Sequence, residues 1–171
     1  MVRIGSGALL ALALAGCAPR PEDSSIVSDP TPVVWTTLRQ ADARKLLVEA
    51  GARIEAEDQT DENGWLITAE IDGLPVDWKG MQCQGDGPDR ACTEYEIKVP
   101  LKTASPQAAQ ALAASRDVLF PADAAVGDEY RVWRMGFTYG GVTRAYLKNT
   151  LAVTIDMGLA AAKEIGEAGK G

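Results

Sequence analysis

Three cysteines are the residues of this chain whose type and spacing predict chemistry most directly. The first, Cys17, closes the sequence Leu14-Ala15-Gly16-Cys17 at the end of a short apolar run. This sequence matches the bacterial lipobox, where a signal peptidase cuts before the cysteine and the thiol carries a lipid. The alternative is an ordinary secretory signal with a coincidental cysteine, which the small residues at Ala15 and Gly16 disfavour.

The residues before Cys17 have the composition of a signal peptide. Arg3 supplies a charge near the start, and Ala8–Ala15 is an apolar run too short to span a bilayer as a stable helix. We therefore expect residues 1–16 to be a lipoprotein signal peptide that is removed, leaving Cys17 as the first residue of the mature chain. The similarity to lipoproteins implies a diacylglyceryl group and a third acyl chain, a durable anchor where one chain would bind only marginally.

A polar segment separates this cysteine from the first periodic sequence. Residues 17–34 contain four prolines and no hydrophobic repeat, so we predict a flexible linker that reaches roughly 3 Å per residue. It would hold a single globular domain, residues 35–168, away from the bilayer. Ala18 stands where an Asp would signal inner-membrane retention, a pattern similar to that of outer-membrane lipoproteins. We therefore expect a protein of the bacterial cell envelope that faces the periplasm, at the outer membrane.

The other two cysteines, Cys83 and Cys92, flank a turn-forming insert between two predicted strands. In an oxidising envelope we expect them to form a disulfide. Closing a loop of about ten residues stabilises a fold by roughly 2.7 kcal/mol on the chain-entropy estimate. A redox pair or a metal site is less favoured, because the C-x-x-C spacing is missing and two cysteines without histidine make a poor zinc site.

The composition excludes several classes of function. Histidine is absent, which removes the commonest general base and the imidazole of every serine or cysteine triad. The chain carries 24 acidic and 17 basic residues, a formal net charge of −7. This acidic balance disfavours nucleic acid as a partner, because phosphates require Lys and Arg.

Carboxylates are the remaining candidates for acid–base chemistry. Some glycoside hydrolases use carboxylates alone, and the candidates here are Glu70, Asp77, Glu94 and Glu96. The acidic segment Asp58–Gly64 is interpreted as a solvated turn, because Asn63 occupies the sixth position of a calcium-loop register, where glycine is required. We predict no catalytic residues, no cofactor and no metal site.

Apolar periodicity predicts the elements that position these groups. Helices are predicted after a capping box formed by Thr37 and Gln40, after Ser105-Pro106, and from Val142 onwards. Strands are predicted over residues 53–57, 65–71, 76–81, 93–101 and 130–139, with hairpin turns at Asn63-Gly64 and Asp72-Gly73. The predicted order is α-β-β-β-β-α-β-α. This is an α+β fold, an antiparallel sheet of about five strands with helices on one face.

Alternation also predicts which face of the sheet each side chain occupies. In the strand over residues 93–101, Tyr95, Ile97, Val99 and Leu101 face inward, while Glu94, Glu96 and Lys98 face solvent. These last three residues define a candidate binding face. The alternating aromatic residues of Tyr130–Tyr139 are interpreted as sheet core rather than as a nucleic-acid platform.

Two segments around the cysteines, together with the order of elements, resemble the YbjN family. The segments are Leu74–Cys83 and Cys92–Ile97, and Gly140-Gly141-Val142-Thr143 is similar to the family's approach to its last helix. The resemblance covers residues 37–165. It implies a fold similar to type III secretion chaperones and a role in regulation or binding, with no catalytic residues.

These observations predict a lipid-anchored, non-enzymatic module that binds an envelope protein or acts as a chaperone-like accessory factor. The membrane is expected as a partner through the N-terminal lipid, and an envelope protein through the sheet face. A carboxylate-dependent envelope hydrolase and an abundant structural lipoprotein are the alternatives.

Overall fold

A computed structural model describes residues 32–60, 63–115 and 122–168, and of the side chains within these ranges only those at 88, 122, 123, 167 and 168 are not described. Cys17, the predicted signal peptide and most of the predicted linker lie outside the described residues. So do residues 116–121, over which the second helix was predicted to continue.

The described chain begins in short extended segments and ends in a long helix. The strands are β1 (Val34–Trp35), β2 (Leu38–Arg39), β3 (Arg53–Thr60), β4 (Gly64–Ile71), β5 (Leu74–Gln84), β6 (Ala91–Lys102), β7 (Ala122–Val126), β8 (Glu129–Phe137) and β9 (Val142–Thr143). The helices are α1 (Gln40–Glu49), α2 (Pro106–Ser115) and α3 (Arg144–Ala168).

One antiparallel sheet organises these elements. Its strand order is β3-β4-β5-β6-β8-β7, and β2 pairs with the start of β6, which makes seven strands among the described residues. Strands β1 and β9 form a separate two-stranded pair. The α+β class and the antiparallel sheet are confirmed, but the predicted number of about five strands omits β2 and β7.

The core lies between one face of the sheet and the helices. The predicted inward residues of β6 are all buried, and so are Trp65, Ile67, Ala69 and Ile71 of β4. Residues from α1 and α3 join the same cluster: Ala43, Leu46, Leu47, Leu147 and Leu151. Two glycines allow close packing there. A Cβ on Gly136 would lie 2.3 Å from the Tyr95 ring, and one on Gly158 of α3 would lie 2.7 Å from Val99.

Local signals explain most of the boundaries. Asp72 and Gly73 both adopt positive φ, 51° and 80°, as a two-residue hairpin turn requires. The Ser105 hydroxyl accepts the Ala108 N–H at 3.2 Å, so the predicted cap of α2 is confirmed. The Thr37 capping box is wrong, because Leu38 pairs with Cys92 in the sheet and α1 begins only at Gln40.

The last helix begins two residues later than Val142. Val142 and Thr143 are extended because they pair with β1, so α3 starts at Arg144. Leu147, Leu151 and Ile155, which recur at helical spacing, are buried in the core. Tyr146 and Leu159 share the apolar spacing of this helix but are 44% and 37% exposed.

Candidate functional site: the open face of the sheet

The candidate site is the sheet face that the helices do not cover, here called the open face. Alternation along β6 turns Glu94, Glu96 and Lys98 to this side while their neighbours enter the core. The three residues lie opposite Phe137, Met135 and Trp133 of β8. The predicted outward orientation of Glu94, Glu96 and Lys98 is therefore confirmed.

The centre of the open face is a network of opposite charges. The Lys98 ammonium lies 3.2 Å from Glu96, and Lys98 is the cross-strand partner of Asp77 on β5. The Glu96 side chain is only 15% exposed, because a central strand is flanked on both sides by neighbouring side chains. The charged side chains at the centre of this face are therefore partly shielded from solvent.

Asp77 is a half-buried carboxylate on this face. Burial raises its pKa above the ordinary value, against the lowering effects of a hydrogen bond from Thr68 at 3.2 Å and of the Lys98 charge. Glu70 instead accepts a hydrogen bond from Arg53 at 2.9 Å, on the neighbouring strand pair β3–β4. The four candidate carboxylates are thus spread over three strands rather than gathered in one cleft, and Glu70, Asp77 and Glu96 contact a cation or a hydroxyl.

An apolar row borders these charges along β8. Trp133, Met135, Phe137 and Tyr139 occupy alternate positions, and the last three are among the exposed large hydrophobic residues. We call these four residues the β8 stripe. The Phe137 and Tyr139 rings lie 5.4 Å apart and tilted by 51°. The assignment of all these aromatic residues to the sheet core is therefore wrong: Tyr130 and Val132 are buried, whereas the stripe faces out.

A shallow depression lies where the charges meet the stripe. It has a volume of about 290 Å³, and its wall is formed by Glu96, Lys98, Ala124, Arg131, Trp133 and Met135. Two of the three predicted site residues, Glu96 and Lys98, thus share a concave surface with an aromatic ring. The aromatic side chain and Arg131 are the site residues that sequence reasoning missed. The pairing of β8 with β6 places Trp133 and Arg131 at the site. The sequence of β8 alone does not reveal that pairing.

The disulfide joins two of the strands that carry this face, and its cysteines pack with the core. Cys83 and Cys92 are bonded to each other and are partners in the register of β5 and β6, with their Cα atoms 3.8 Å apart. Glu94 follows two residues after Cys92 on the same strand. The covalent link therefore fixes the relative position of the two strands that carry Asp77 and Glu94.

On the other side of the sheet, Arg134 joins β8 to α3. Its guanidinium donates a hydrogen bond to the Tyr146 hydroxyl at 2.8 Å. Burial acts to raise the pKa of Tyr146, but the hydrogen bond and charge of Arg134, together with hydrogen bonds to Thr150 and Tyr95, lower the pKa below its ordinary value. Burial and the neighbouring Tyr146 phenol raise the pKa of Tyr95 to about 12. The pKa values of these two neighbouring tyrosines are therefore shifted in opposite directions, that of Tyr95 upward and that of Tyr146 downward.

The described residues contain no group of three or more Cys, Asp or Glu side chains placed to hold a metal ion. Within the same ranges, no helix is both long and apolar enough to cross a membrane. No protein-family model, curated protein or solved structure matches this chain.

Proposed function

We propose that this chain is a lipid-anchored, non-enzymatic module of the bacterial envelope whose open face binds another envelope protein. The observation that carries the proposal is the juxtaposition of the charged row Glu94, Glu96 and Lys98 with Trp133 and Met135 of the β8 stripe. The lipobox at Cys17 and the proline-rich segment after it support the anchor and the linker. The resemblance to the YbjN family agrees with a role in binding rather than catalysis.

The composition of the open face suits a protein partner. Aromatic residues, Met and Arg are enriched at protein interfaces, and Trp133, Met135 and Arg131 supply all three beside the depression. Trp133 is our candidate for the anchoring residue, because large aromatic side chains in partly enclosed sites dominate interface energies. The two carboxylates and one ammonium of the charged row would set the register and choice of partner rather than the bulk of the affinity.

In-cell photo-crosslinking tests this proposal. A photoreactive residue would replace Met135 or Lys98 on the open face, with Val153 of α3 as the matched control. Val153 is also exposed but lies on the helix side of the sheet. We expect one recurrent protein adduct from Met135 and Lys98 and none from Val153. No adduct from the open face, or equal adducts from Val153, would contradict binding through this face and favour an abundant structural lipoprotein.

The raised pKa of Asp77 is the one observation that favours the second candidate, a carboxylate-dependent envelope hydrolase. Catalytic acids are often carboxylates whose pKa is raised by burial. Activity of the purified protein against cell-wall glycans decides between the two. If the unsubstituted chain is active, Asp77→Asn is inactive and Glu70→Gln stays active, the hydrolase replaces our proposal. If the unsubstituted chain and both variants are all inactive, the result supports binding.

A further inference from the structure

We infer that the end of the domain where the chain enters from the linker rests on the bilayer surface. The contact would be made by four exposed residues, Val33, Val34, Phe137 and Tyr139, which we call the tether patch. This inference rests on the lipid attachment at Cys17 that the proposed function includes. It adds a second membrane contact, made by the folded domain itself.

The two segments of the tether patch are held together by several contacts. Val34 and Trp35 pair with Thr143 and Val142, which joins the start of the domain to the segment just before α3. The Thr138 hydroxyl donates a hydrogen bond to the Thr36 carbonyl at 3.0 Å. The side chain of Val34 also occupies the space beside Gly141, where a Cβ would lie 2.5 Å from it.

The four side chains of the tether patch are uncharged and exposed, and Glu94 is the charged residue paired with Phe137. Val33 is 74% exposed and Tyr139 is 68% exposed, and Val34 and Phe137 are each about half exposed. Neither residues 30–38 nor residues 135–143 contain a charged side chain, although 24% of the chain is charged. Aromatic side chains with a polar tip, such as tyrosine, favour the level of the lipid headgroups.

The position of the linker selects the bilayer as the occupant of this patch. Residues 18–32 separate the lipid-bearing Cys17 from Val33, so the patch is the part of the domain that follows the anchor most closely. Even fully extended, at most about 3.6 Å per residue, these 15 residues cannot carry the patch more than about 55 Å from the membrane. Tethering at this short range raises the effective concentration of the patch at the membrane, so a weak intrinsic affinity suffices.

The charge of the protein indicates which lipids would be involved. With a net charge of −7 the chain is repelled by anionic headgroups. The contact is therefore apolar, and it should persist on neutral lipid and at high salt, where exposed charge interactions are screened.

Depth-dependent quenching tests the inference. The mature chain from Cys17 onwards would be coupled through the Cys17 thiol to a maleimide-headgroup lipid in phosphatidylcholine vesicles, because the other two cysteines are disulfide-bonded. Tyr139→Trp reports on the patch. The matched control is Val126→Trp, which is half exposed and pairs with Glu129 at the far end of β8, about 26 Å from Phe137 at the usual strand rise.

We expect brominated acyl chains to quench the additional emission of Tyr139→Trp, relative to the unsubstituted chain, by at least twofold more than that of Val126→Trp. The difference should survive 1 M NaCl. Equal quenching at the two sites, or loss of the difference in salt, would overturn the inference. Phe137→Trp provides a second reporter if near-ultraviolet circular dichroism shows that Tyr139→Trp is unfolded.

The chemical coupling separates the two proposals. Fatty-acid analysis of the chain purified from cells tests the anchor on which the proposed function depends. Quenching in the coupled vesicles tests the patch whether or not the cell acylates Cys17. An acylated chain with no difference in quenching would therefore refute the inference alone.

Discussion

Replacing Cys83 and Cys92 by alanine removes the covalent link between β5 and β6. The bond closes a loop with a sequence separation of 9, in which an isolated 3₁₀ turn connects the strands. The chain-entropy estimate for such a loop is about 2.7 kcal/mol. Taking a guanidinium slope of roughly 4 kcal/mol/M for a domain of this size, we expect the unfolding midpoint to fall by about 0.7 M.

Two features of the measurement separate the loop effect from a packing effect. Cys92 is completely buried, so the alanine variant also loses core contacts, whereas reduction of the unsubstituted chain keeps the sulfur in place. The reduced chain should therefore lie between the oxidised chain and the variant. Removing the link also lets the denatured chain expand, so the guanidinium slope should rise. A midpoint that changes by less than about 0.2 M on reduction would refute this account of the disulfide.

Three further outcomes follow from contacts around the sheet. Gly136→Ala should lower stability by about 1–3 kcal/mol, because its Cβ would overlap the buried Tyr95 ring, whereas Gly140→Ala, with open space around it, should change the melting temperature little. Tyr146→Phe should remove the earliest step of the tyrosinate absorbance titration, since its pKa is lowered; an unchanged first step would contradict that assignment. Asp77→Asn should stabilise the fold at pH 7, where burial penalises the charged carboxylate, and this gain should shrink as the pH falls towards 3.8 and wild-type Asp77 becomes neutral. Guanidinium unfolding of both proteins at pH 7 and pH 4 measures this stability gain. A gain that grows on acidification would contradict the raised pKa of Asp77.

Sequence reasoning succeeded where one face of a strand is covered and the other is charged. In β6 the alternation of Tyr95 and Ile97 with Glu96 and Lys98 leaves one orientation that buries the apolar residues. The hairpin at Asp72 likewise follows from the backbone conformation that a two-residue turn requires.

Sequence reasoning failed where both faces of a strand are apolar or where pairing is distant. Trp133 and Met135 were predicted to be core residues, because nothing in the β8 sequence distinguishes them from Val132. Their pairing with Lys98 and Glu96 of β6 shows that they lie on the open face. Arg134 occupies an inward position in the same strand, which its bond to Tyr146 explains and which alternation does not predict. Leu38 was assigned to α1 because its pairing with Cys92 is a long-range contact that local periodicity cannot detect.

The central claim is that the domain works at a membrane through a lipid on Cys17, and the mass of the N-terminal peptide tests it most directly. The chain would be isolated from the envelope fraction of cells, digested and analysed by mass spectrometry, with Cys17→Ser as the control. The account predicts that the first peptide begins at Cys17 and carries the mass of a diacylglyceryl group and an amide-linked acyl chain, and that the control is neither cleaved there nor acylated. A mature chain that begins elsewhere, or an unmodified Cys17 thiol, would contradict it.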